Sequence, residues 1–279
     1  IGSTLNYFGA EKTMELQKRY MEKNRHHIPL LFMADIIYGY KTIFPIPLAM
    51  SCSFNPENYE NAASVAAAES SASGIHLTFA PMSDLVRDPR WGRVMESPGE
   101  DTYLNCIMTK AAVHGFQGDN PKEKGKIASC VKHFAGYGAA EGGRDYNWVD
   151  ISENTLRQFY LPSYKAALDA GARMVMTSFN VIDGIPSSAN KKLFRDILRN
   201  EWGFDGCTIS DYAAVHETII NGIAKDGSDA ARQCIEAGVD IEMMSAHYIN
   251  HGKKLVEEGR LSIELIDQSV RNILHLKNE

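Results

Sequence analysis

Residues 203–215 read GFDGCTISDYAAV. A short β-branched, apolar run, Cys207-Thr208-Ile209, leads into Ser210-Asp211, and a helix-compatible run with two alanines comes next. Strand, carboxylate, helix is the order of one unit of a parallel α/β sheet, with Asp211 where a buried strand gives way to a loop. The same order recurs along the chain. The pattern predicts strands at Gly2–Asn6, Pro29–Ala34, Leu77–Pro81, Ala128–Phe134, Arg173–Ser178, Cys207–Ser210 and, more weakly patterned, Ile241–Met244. Between and after them the helical period predicts helices at Ala10–Lys23, Pro56–Ser73, Thr102–Phe116, Glu153–Ala170, Lys191–Glu201, Ala213–Gly222, Asp229–Ala237, Tyr248–Glu258 and Ser262–Leu276. The strands are apolar on both faces, as parallel strands covered by helices are. Seven or eight such units, with no GxGxxG after the first strand and no P-loop, favour a closed sheet over an open nucleotide-binding one. The expected fold is therefore α/β, a (β/α)8-like TIM barrel, with room for an incomplete or irregular one. No Pro- or Ser-rich linker interrupts the chain, so residues 1–279 are expected to form one domain.

Composition narrows the function. The chain has 279 residues, 44% hydrophobic and 23% charged, with a net charge of -6 from 29 basic and 35 acidic residues. That is a soluble globular composition with no nucleic-acid footprint and no apolar run of membrane-spanning length. Ile1 is not a methionine, so the start reads as processed or cut, and the absence of a signal peptide leaves the compartment open. The five cysteines are scattered without a CxxC, which reads as free thiols, most of them in the core. The histidines show no zinc-binding spacing, although His247 and His251 fall at i, i+4. No metal and no cofactor are expected.

In a barrel of this kind the chemistry sits at the carboxyl ends of the strands. The residues just past each strand are Asp35; Met82-Ser83-Asp84 and then RDPRWGRVMESPGED; Lys132-His133; Phe179-Asn180; Asp211; and Ser245. Each has a bland explanation. Asp35 or Asp211 could cap a helix, Lys132-His133 could be a buried ion pair, and Arg90 and Arg93 could stack on Trp91. Taken together, Asp35, Arg93, Lys132, His133 and Asp211 would converge on one mouth, which is more than helix capping requires.

Three stretches, FAPMSDLVRDPRWGRVMESPGEDTYL, VKHFAGYGAAEGGRDYN and GFDGCTISDYAAV, together resemble the N-terminal barrel of family 3 glycoside hydrolases, from Ile1 to about Lys277. The resemblance implies exo-acting, retaining hydrolysis of terminal β-D-glucosyl residues, with β-xylosidase activity as the alternative. It implies that Asp211 is the nucleophile and that Asp35 grips the sugar's remote hydroxyls. Arg93 and the Lys132-His133 pair become donors around the sugar, Met176 and Phe179 line its pocket, and Tyr212 stands at the aromatic position after the nucleophile. Two departures stand out. Tyr38-Gly39 replaces the family's His-Gly, and the loop after Lys132-His133 lacks the His–Asp dyad of the hexosaminidase branch, so that activity is not expected. In the two-domain branch the acid is a glutamate of a second domain, which is expected to lie outside this chain; Glu141 is the one local glutamate considered as a substitute. The implied partner is a β-linked oligosaccharide or glucoside; the compartment is left open, with a periplasmic or secreted location compatible with the sequence. The rival readings are a non-catalytic sugar-binding barrel and a Schiff-base lyase acting through Lys132.

Overall fold

The computed structural model describes residues 2–279; Ile1 lies outside them. Six strands form one parallel sheet in sequential order: β1 (Ser3–Leu5), β2 (Leu31–Ala34), β3 (Leu77–Thr78), β4 (Ala128–Phe134), β5 (Met174–Thr177) and β6 (Cys207–Ile209). Sequential order with a helical crossover each time is what curls a parallel sheet around its own interior. The strands alternate between two buried environments. Met33, Leu77, Cys130, Met174, Met176, Cys207 and Ile209 point inward and fill the interior with Met243 and Leu276. On the outer face, Leu30, Phe32 and Ala34 meet Ala63, Ala66 and Ala67 of the helix Pro56–Ser71. Both sides of each strand are dry, which is why the sequence shows continuous apolar runs.

The barrel is an open one. The expected strand at Ile241–Met244 is reduced to a single bridge, Ile209 to Ile241, because Met244 turns to positive φ and directs the chain away. Among the described residues no ladder joins Ile241 back to β1. A cavity of about 250 Å³ lies there instead, lined by Gly2, Ser3, Ile241, Tyr248, Ile273 and Lys277. The last helix, Ile263–Asn278, spans the breach, and Lys277 Nζ donates to the carbonyls of Gly2 and Pro29, both at 2.6 Å. The sheet is thus a half-barrel held round by a helix.

Two expected helices are wound differently. Glu153–Ala170 splits into a short turn Glu153–Thr155, a π-helical turn Leu156–Tyr160 and the helix Pro162–Asp169. Pro162 has no N–H to give to the preceding turn, so the regular ladder must break there. Lys192–Glu201 is π-helical throughout. Of the five cysteines, all free, Cys130, Cys207 and Cys234 are buried.

One buried polar knot fixes the end of the sheet. Asp240 Oδ2 accepts from Thr208 N at 2.9 Å, Thr208 Oγ1 at 2.9 Å, Arg199 Nη2 at 3.0 Å and Asn272 Nδ2 at 3.1 Å. It ties β6, the π-helix and the last helix to one carboxylate. Replacing Asp240 with Ala strands the largely buried Arg199 guanidinium and should lower stability by about 3–5 kcal/mol. Urea unfolding would measure it, and a loss under about 1 kcal/mol would mean that the knot is not what holds this end.

Candidate active site

The side chains expected to act together do meet at the carboxyl ends of β2 to β6. Lys132 faces inward near the end of β4, and its Nζ lies 2.7 Å from Asp35 Oδ1, just past the end of β2. The lysine side chain is 4% exposed and the aspartate 43%, so a nearly buried ammonium is neutralised by a carboxylate that still faces the opening. Strict alternation would send Lys132 and His133 to opposite faces. The register between β4 and β5 shifts between Val131 and Phe134, an irregularity of the kind that re-aims side chains beside functional sites. His133 Nε2 consequently stands 3.3 Å from Asp211 Oδ2.

Asp211 lies just past the end of β6. Its backbone N–H donates to Thr177 Oγ1 at 3.2 Å, and its Oδ1 accepts from Tyr212 N at 2.6 Å. It does not cap the next helix: Ala213 takes that position, in the left-handed region at φ 57°. A non-glycine residue there carries roughly 1–2 kcal/mol of strain, and Ala213 N–H donating to Met243 O at 2.9 Å helps hold it. Asp211 Oδ2 is buried and has no hydrogen-bond partner among the described residues. The His133 nitrogen is near it but does not make a hydrogen bond. A carboxylate oxygen withdrawn from water and left unpaired can attack or accept a proton.

Aromatic and basic groups complete the wall. Tyr137 is fully buried and meets Trp91, His133 and Phe179 at ring-centroid distances of 4.9, 5.2 and 5.8 Å. Tyr146 lies over Phe179 at 4.5 Å. Arg93 does not stack on Trp91. It pairs with Glu96 through two bonds of 2.9 and 3.0 Å, with its guanidinium carbon 5.7 Å from the Tyr137 ring. Burial disfavours its charge, but the Glu96 carboxylate outweighs that and raises its pKa. Trp91 Nε1 instead donates to Asp145 Oδ1 at 3.0 Å. The loop after β4 can lie this close to the loop after β3 because Gly138 and Gly143 have no Cβ. At Gly138 a Cβ would stand 2.1 Å from Leu85 O, and at Gly143, where φ is 69°, it would stand 2.5 Å from the Arg90–Trp91 peptide. Met176 is packed in the barrel interior, Phe179 is buried, and Tyr212 is 56% exposed at the rim.

This arrangement has close counterparts. Residues 3–276 match the family model described as the glycosyl hydrolase family 3 N terminal domain. The chain belongs to glycosyl hydrolase family 3. It is 40% identical over 277 residues to a periplasmic beta-glucosidase of Salmonella typhimurium, covering 99% of this chain and 36% of that protein. It is 35% identical over 276 residues to a putative beta-xylosidase of Formosa agariphila, covering 96% of this chain and 36% of that one. A crystal structure of a beta-glucosidase from Listeria innocua in complex with glucose superposes with a TM-score of 0.98 at 54% identity, covering 99% of this chain and 39% of that chain. The family 3 barrel seen here thus spans between a third and two fifths of the length of these relatives.

Sequence reasoning assigned no role to Tyr137, Tyr146 or Tyr164, nor to one buried acid of this site. Asp84, after β3, is fully buried, with Oδ2 3.0 Å from His133 N and 2.9 Å from His133 Nδ1, and Oδ1 2.8 Å from Tyr164 Oη. The available signal was its position just past Leu77–Pro81, in Met82-Ser83-Asp84. Burial pushes Asp84 up to about 6, against the Tyr164 and His133 hydrogen bonds and the Arg93 and Lys132 charges. Burial pushes His133 down to about 3, helped by Arg93 and Lys132 and opposed by Asp211. His133 therefore contributes stability that is full above its ordinary value of 6.5 and lost as pH falls through about 3. Asp84 acts in the other direction: its contribution is full below 3.8 and lost as pH rises through about 6. Asp84→Asn removes the second effect alone. Measured by urea titration at pH 4 and pH 8, the stability difference should move in the variant's favour at pH 8 by on the order of 1–3 kcal/mol. An unchanged difference would mean that Asp84 titrates like an exposed aspartate.

Proposed function

We propose that this chain is the sugar-binding and nucleophile-bearing barrel of an exo-acting retaining β-glycosidase, with terminal β-D-glucosyl residues as substrate. One observation carries the reading: at the mouth of the barrel, Asp211 Oδ2 is buried, unpaired and 3.3 Å from His133 Nε2. In the first step this oxygen, ionised, bonds to the anomeric carbon while the glycosidic C–O bond breaks, and the leaving oxygen takes a proton from a general acid. In the second step water attacks the same carbon, a base removes its proton, and the Asp211 carboxylate is released.

Asp35 accepts hydrogen bonds from the remote hydroxyls, and Lys132 and Arg93 donate around the ring. Donors positioned on strand ends can strengthen their bonds as charge develops on the sugar. Phe179, Tyr146 and Tyr212 form the apolar side of the pocket, over the Met176 floor. The retaining geometry needs an acid about 5–5.5 Å from Asp211. Glu96 is occupied by Arg93, and Glu153 by Arg157 and Lys192. Glu141 stands exposed in the loop after β4. We place the acid on a second domain outside residues 1–279, in line with the greater length of the relatives, and take residues 1–279 as one domain. Periplasmic location rests on the name of the Salmonella relative. No helix among the described residues is long and apolar enough to cross a membrane.

A β-xylosidase reading is the alternative, favoured by the Formosa relative. A Schiff-base lyase is disfavoured because Lys132 is an ion-paired ammonium, not an isolated amine in an apolar pocket. Treating the complete protein with a dinitrophenyl 2-deoxy-2-fluoro-β-glucoside, whose leaving group departs without protonation, should leave a glycosyl adduct on the peptide that contains Asp211. Asp211→Asn should lower kcat on a β-glucoside by about 10⁴-fold or more. An adduct on another residue, or an active Asp211→Asn protein, would overturn the assignment. A xyloside adduct with no glucoside adduct would move the substrate to pentosides.

A further inference from the structure

The hydrogen bonds around Asp84 decide which nitrogen of His133 carries its proton. Asp84 Oδ2 accepts from the backbone N–H of His133 at 3.0 Å, a donor that cannot change roles. The same oxygen lies 2.9 Å from His133 Nδ1. The other oxygen, Oδ1, lies 2.8 Å from Tyr164 Oη, which is itself 2.6 Å from the His133 carbonyl oxygen. If Asp84 is ionised, both oxygens accept. If it is protonated, the proton belongs on Oδ1, where it serves Tyr164 Oη while the tyrosine proton goes to the His133 carbonyl. A proton on Oδ2 would instead leave Tyr164 Oη, with its one O–H, facing two acceptors; in the arrangement that gives each contact a proton, Oδ2 is an acceptor and Nδ1 the donor. A neutral imidazole has one N–H, so Nε2 presents a lone pair. That lone pair faces Asp211 Oδ2 at 3.3 Å, two acceptors side by side.

We propose that Asp84 is a positioning residue that locks His133 in the Nδ1–H tautomer, so that Nε2 accepts a hydrogen bond from a substrate hydroxyl and cannot donate one to Asp211. This rests on the glycosidase reading for its purpose. The pair expected to supply two donors is divided: Lys132 donates and His133 accepts. The lock also protects the attacking oxygen. A His133 free to carry its proton on Nε2 would bond Asp211 Oδ2 and blunt it, as a hydrogen bond to an anion stabilises the anion.

The test reads the tautomer directly, by imidazole ¹⁵N shifts in histidine-labelled protein, with the His133 signals assigned by their loss in His133→Gln. Wild type should show neutral His133, protonated on Nδ1, from pH 5 to pH 8. Asp84→Asn should keep that tautomer, since its amide oxygen can take the place of Oδ2 and its NH₂ can face Tyr164. Asp84→Leu should move the proton to Nε2 and lower kcat/KM on a dinitrophenyl β-glucoside by about tenfold or more, with Asp84→Asn restoring most of the rate. Wild-type His133 protonated on Nε2, or charged at pH 6, overturns the lock whatever the variants do. A folded Asp84→Leu protein with unchanged tautomer and rate overturns it equally. If Asp84→Leu does not fold, the wild-type tautomer and its retention in Asp84→Asn decide. An Nδ1–H tautomer in a protein that transfers no glycosyl group would overturn the glycosidase reading and leave the lock standing.

Discussion

A carboxylate oxygen kept from water and from hydrogen bonds is costly, by about 1–3 kcal/mol or more for a charged group. Asp211 Oδ2 is in that position, and much of the surrounding structure can be understood as what keeps it there. The strand β6 fixes the backbone, Thr177 receives the Asp211 N–H, and Tyr212 N–H satisfies the other oxygen. Ala213 bends into the left-handed region to start the next helix without lending Asp211 a helix terminus to cap. His133 comes close and brings no proton. Each of these removes a way for Asp211 to relax.

The other acids that border the sheet show the contrast, Asp35 and Asp84 at the same carboxyl end and Asp240 toward the amino end of β6. Asp35 is matched to the Lys132 ammonium, Asp84 to three donors, and Asp240 to Arg199, Thr208 and Asn272. Four aspartates bordering the sheet have four environments, and of these Asp211 keeps an unpaired oxygen. Environment, not residue type, divides the roles, the same logic by which two carboxyl groups in one active site come to act as acid and as nucleophile.

The strand–helix alternation and the apolar runs were enough to read a parallel α/β barrel, because local periodicity reports burial on each face. The site was legible to the extent that it derives from strand ends: Asp35, Lys132, His133 and Asp211 do converge. What the sequence hid depends on register and distant pairing. The shift in β4 that turns His133 toward Asp211 leaves no trace in a run such as ASCVKHF, which reads as an unbroken strand. Asp84 looked like one more loop acid because its partners, His133 and Tyr164, lie 49 and 80 residues away. The open barrel was hidden for a related reason: Ile241–Met244 has strand composition, and only the turn at Met244 shows that the strand goes no further. The π-helical windings keep a helical hydrophobic pattern, so periodicity could not separate them from α-helix.

The distribution of carboxyl groups bears on where the leaving group gets its proton. A general acid for a glycoside needs a raised pKa and an open path to the glycosidic oxygen. Asp84, pushed up to about 6 by burial, has the first, but both its oxygens are engaged beneath His133 and neither reaches the mouth. Glu153 is exposed, but Lys192 and Arg157 hold its pKa down, which favours the state without the proton. Glu96 is held in a two-bond pair with Arg93. The mouth thus suits the proposed nucleophile and sugar, with cationic groups that favour the ionised state of carboxylates. A protonated acid placed among those same cations would have its pKa lowered and lose its proton to solvent, so the chemistry favours bringing the acid in from a different surface, facing the leaving group and away from Lys132 and Arg93.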